Sequence, residues 1–133
     1  MNFPEPEIRH PTKSATDSLA KRFSLPNHDG MQDWEYEVAD PEKINDFFEV
    51  YKNESTVEDE KFILLEMLLE SFEDSTIDLN DNKEWNELLE LVNSRFKIHV
   101  YTLWYWSCFG SNETEEMFRV SPFIRDIYAR NVQ

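Results

Sequence analysis

Three histidines, His10, His28 and His99, and one cysteine, Cys108, are the side chains of this sequence best suited to ligate a transition metal or attack a substrate. Zinc sites usually pair ligands a few residues apart, and no two of these four stand that close. A nucleophile needs its base within hydrogen-bond reach, yet on one helix the rise between His99 and Cys108 is roughly 13 Å. Cys108 therefore reads as a small core residue. A lone thiol, unable to close an intramolecular disulfide, points to a reducing compartment. The alternation Asp78, Asn80, Asn82 opens like a calcium loop, but Lys83 stands where the turn needs glycine and Leu89 where a bidentate Glu belongs. With two glycines in the chain there is no phosphate-cradling loop, and G-x-S-x-G, H-E-x-x-H and C-x-x-C are absent.

Carboxylates are what remains. Glu66, Glu70 and Glu73 are expected on one face of a helix, with Glu87 and Glu90 on a neighbouring one. A helical di-metal site would also need Glu-x-x-His from two helices, which the sequence lacks. No catalytic, cofactor or metal residue is assigned. The charge is unevenly distributed: residues 1–28 carry +1, residues 29–53 carry -6, residues 54–90 carry -11 and residues 91–133 carry +1. Carboxylates at i and i+4 on a helix repeat at roughly 6 Å, close to phosphate spacing, and their field can steer a basic partner. Aromatic side chains anchor protein interfaces, and the run Tyr101, Trp104, Tyr105, Trp106 is too wide for every ring to be inside. The residues expected to meet a partner are Glu66, Glu70, Glu73, Asp81, Glu84, Glu87, Trp104 and Tyr105.

The elements that must position these residues are mostly legible as helices. Ala15, Leu19 and Phe23 recur every four residues in a short helix over 14–23, behind a proline-rich lead-in. Asp40 before Pro41 is a helix start for 41–52. Ser55 and Glu58 have capping-box spacing ahead of a helix over 56–72, whose apolar positions are too many for one stripe. A fourth helix is expected over 81–94, a fifth over 96–109 ending at Gly110, and a last one from Ser121–Pro122. The fold class is all-α: a small single-domain bundle of about five to six helices, with 1–30 as an extended arm bearing the short helix and 31–133 as the helical domain. The alternative is α+β, with a two-stranded sheet from 33–38, where Trp34, Tyr36 and Val38 alternate with acids, and 98–106, where β-branched and aromatic residues abound.

A chain of 133 residues and net charge -15 is long enough for a core without disulfides or metal, and repels both nucleic acid and anionic membrane. Neither a signal-peptide pattern nor a spanning apolar run is present, so a cytoplasmic location is expected. Small acidic immunity proteins are similar in size and charge, although no motif carries the likeness further. The expected function is a protein-binding module acting on a basic partner, as an inhibitor, immunity protein or mimic of nucleic acid. The alternative is a carboxylate-based, metal-dependent enzyme or an accessory subunit.

Overall fold

The computed structural model describes residues 3–110 and 117–132, and every regular element among them is helical. The order is α1 (Lys13–Phe23), α2 (Trp34–Glu37), α3 (Ile44–Lys52), α4 (Glu58–Glu73), α5 (Lys83–Ser94), α6 (Phe96–Ser107) and α7 (Ser121–Asn131), with 3-10 turns at Pro41–Lys43 and Leu79–Asp81. The expected all-α class is what forms, and the alternative sheet is not. Around Trp34 the buried positions are Trp34, Glu35 and Val38, which is helical spacing and not alternation. Residues 98–106 lie within α6.

Contacts divide the chain into two compact units, residues 10–76 and residues 3–9 with those from Ile77 onward. In the first unit α4 is the hub, and α1, α2 and α3 each pack on it. Its residues Phe62 to Leu69 are all buried, the carboxylate of Glu66 included, so α4 has no solvated stripe along that stretch. In the second unit α6 and α7 pair closely and α5 packs on both.

Helix ends follow side-chain chemistry, sometimes with other residues than expected. Asp40 accepts from the Glu42 amide, as its place before Pro41 requires. The capping box at Ser55 does not form. Thr56 donates its hydroxyl to Val50 O at the end of α3, and α4 begins after Val57 with Glu58, Asp59 and Glu60 at the positive end of its dipole. Helix α5 starts two residues later than expected, because Asn82 accepts from the Trp85 amide at 2.7 Å. Cys108, with φ 52°, takes the left-handed position that closes α6, which had been expected at Gly110. Ser121 opens α7 from inside: its hydroxyl donates to Trp106 O at 2.7 Å and accepts from the Phe118 amide at 3.1 Å.

Candidate protein-binding surface

On α4 the three expected carboxylates separate by depth. Glu66 is 6% exposed and accepts from the Tyr36 hydroxyl at 3.0 Å, so it holds α2 against α4 and cannot reach a partner. Glu70, one turn on, is half-buried, and burial together with the neighbouring carboxylates of Asp74 and Glu73 pushes its pKa up to about 7. Glu73 is half-buried at the helix end. The expected acidic row on α4 therefore begins only at its last turn. Glu35, buried on α2, is likewise raised, chiefly by desolvation.

The other expected residues belong to the second unit. Asp81 and Glu84 are exposed and Glu87 half-buried, around the start of α5, where negative charge favours the helix dipole. The calcium-like alternation beside them is spent on local bonds: Asp78 accepts from the Asn80 amide and Asn82 from that of Trp85. In α6 Trp106 is buried, Trp104 half-buried and Tyr105 47% exposed, so the aromatic run does place a ring at the surface. The Tyr105 ring lies 6.4 Å from that of Phe118. The Trp104 indole N–H donates to Phe3 O at 3.1 Å, an intramolecular contact that sequence spacing gave no means to foresee.

Two features were missed. At the junction of α3 and α4, Val57 is 56% exposed, and its sequence neighbours Glu54, Glu58 and Asp59 are exposed too. The signal was available, since an apolar residue immediately before a run of acids at a helix start has no core to enter. In the first unit a cleft of about 410 Å³ is lined by Lys13, Asp17, Asn27 and His28 among others. Asp17 accepts there from Lys13 at 2.9 Å and Asn27 at 2.8 Å, which hold its carboxyl below the usual range.

Among the described residues no group of three or more His, Cys, Asp or Glu side chains is placed to hold a metal ion. His28 borders the polar cleft, His99 is fully buried in α6, and the Cys108 thiol lies 3.7 Å from the Ser121 hydroxyl. No described helix is long and apolar enough to cross a membrane. Comparison with protein families, curated proteins and solved structures finds no match to this chain.

Proposed function

We propose that the chain is a cytoplasmic protein-binding module that engages a basic partner, as an inhibitor, an immunity protein or a mimic of nucleic acid does. The observation that carries this reading is where the charge lies. Residues 10–76 hold 17 acids against 6 bases, a net of -11, and 11 of those carboxylates are exposed. The remaining residues contribute only -4. Such a surface raises the association rate with a cationic protein and disfavours acidic ones. Between α3 and α4 the exposed Val57 stands in sequence beside the exposed Glu54, Glu58 and Asp59, an apolar side chain next to charge. Capture from a native lysate at low salt, with proteins identified by mass spectrometry, tests the reading. A basic protein should be recovered, released by about 0.3 M salt, and lost from the triple variant E54Q/E58Q/D59N. Recovery of no protein, or of one indifferent to both salt and the variant, overturns the proposal.

A further inference from the structure

The first described residues, Phe3 to Arg9, form no regular element, yet their burial is ordered. Phe3, Pro6 and Arg9 are half-buried, whereas Pro4, Glu5, Glu7 and Ile8 are exposed. A repeat of three is the period of the polyproline II helix. The sequence favours that conformation: Pro4 and Pro6 fix their own φ, and each restricts the preceding residue to extended backbone. Hydrophobicity does not choose the inward face, because Ile8 is 48% exposed while Arg9 turns in.

Both ends of this segment are anchored on the second unit. The Phe3 ring lies 4.7 Å from that of Phe109 and edge-on to Tyr128 at 5.3 Å, and its carbonyl accepts from the Trp104 indole. Arg9 donates to Ile98 O at 3.2 Å. The lengths agree. Six residues of polyproline II rise about 19 Å. The α6 stretch from Ile98 to Ser107 covers about 14 Å, with Phe109 beyond its end. The segment thus runs lengthwise and antiparallel along α6, over an aromatic surface with an indole N–H aimed at its backbone. Grooves for proline-rich peptides have that composition.

We propose that the surface formed by Trp104 of α6, Phe109 just past its end and Tyr128 of α7 is a recognition groove for an extended, proline-rich peptide of a partner protein with the register Phe-x-x-Pro-x-x-Arg, and that residues 3–9 occupy it in cis until such a peptide displaces them. The preformed helix of a proline-rich chain loses little entropy on docking, which suits exchange between a tethered and a free copy of one motif. Trp104 then serves partner binding as the donor that reads the peptide backbone.

The test titrates a synthetic peptide of residues 3–10 into the full chain and into F3A/R9A, which removes the side-chain anchors at both ends, following tryptophan fluorescence and calorimetry. The released variant should bind at least tenfold more tightly than the wild type, and W104F in that background should lose most of the gain. A peptide with Pro6 and Glu7 exchanged, identical in composition, should bind at least tenfold more weakly. Should circular dichroism show F3A/R9A unfolded, Pro6→Ala replaces it, with an expected gain of about threefold. Equal affinity for wild-type and released chains, or for the two peptides, overturns the proposal. A dimer formed by the released chain in place of peptide binding would make a second copy the occupant and overturn it as well.

Discussion

Tyr36 and Glu66 illustrate how a single polar pair fixes an element too short to persist by itself. Helix α2 has four residues, far below the length at which a helix is stable in water, and the Tyr36 hydroxyl ties it to the buried carboxylate of α4. Tyr36→Phe keeps the ring and removes the donor. Withdrawing a hydrogen bond from a buried polar group costs about 1–3 kcal/mol. The midpoint of urea unfolding should fall accordingly with its slope unchanged, and an unshifted midpoint would remove the pair from the forces holding α2. Glu70 makes the opposite prediction. Its pKa is raised in the folded state to about 7 from 4.5, so between those values the native chain binds more protons than the unfolded one. Its contribution to stability falls as pH rises through that window and is least favourable above pH 7. Glu70→Gln should therefore stabilise the chain at pH 8, on the order of 1 kcal/mol after allowance for solvent screening, and the gain should vanish below pH 4.5. Thermal unfolding of both proteins across pH 4–8 checks it; a gain that does not vary with pH would point to packing instead.

At the scale of elements, the end of α1 is a site of strain with a simple remedy. Ser24 adopts φ 56° and ψ 46°, its amide bonded to Lys21 O and that of Leu25 to Ala20 O, which is the Schellman arrangement glycine favours. Ser24 is exposed, so Ser24→Gly loses no packing and relieves the left-handed backbone, with an expected gain of about 0.5–1 kcal/mol by denaturant titration. A loss would mean that the serine side chain holds the turn in a way its exposure does not suggest. Elements of this kind also show what was legible. Apolar spacing located α3, α4, α5 and α7 to within a few residues because burial on a helix repeats every 3.6 positions, and Asp40–Pro41 marked its own boundary. The short alternation at Trp34 misled because five residues cannot separate the two periods. The surface residues on α4 were harder still: a central helix buries its carboxylates with its leucines, and Glu66 looks no different in sequence from Glu70 or Glu73. The contact between Phe3 and Trp104 joins residues 101 positions apart, and no local pattern encodes it.

For the whole molecule, uneven charge gives salt two effects of opposite sign. A net -11 over residues 10–76 sets 17 carboxylates against 6 cations, among which Lys13 pairs with Asp17 and Lys52 with Glu49. Like charges crowded in this way repel in the compact state more than in the expanded one. Raising ionic strength from 0.01 to 0.15 M shortens the screening length from about 30 Å to about 8 Å and removes most of that repulsion. The melting temperature should therefore climb by several degrees over this range, whereas the affinity for a basic partner should fall steeply, since attraction across the interface is screened by the same ions. The triple variant E54Q/E58Q/D59N ties the first effect to the corner at Val57, because lowering the charge there reduces the salt-induced rise in melting temperature. Differential scanning calorimetry in sodium chloride below 0.2 M, where salting-out is minor, measures the first slope. A melting temperature independent of salt would show that the acids are dispersed enough to be neutral in their effect on folding, and would leave the corner at Val57 without the field that the binding reading requires.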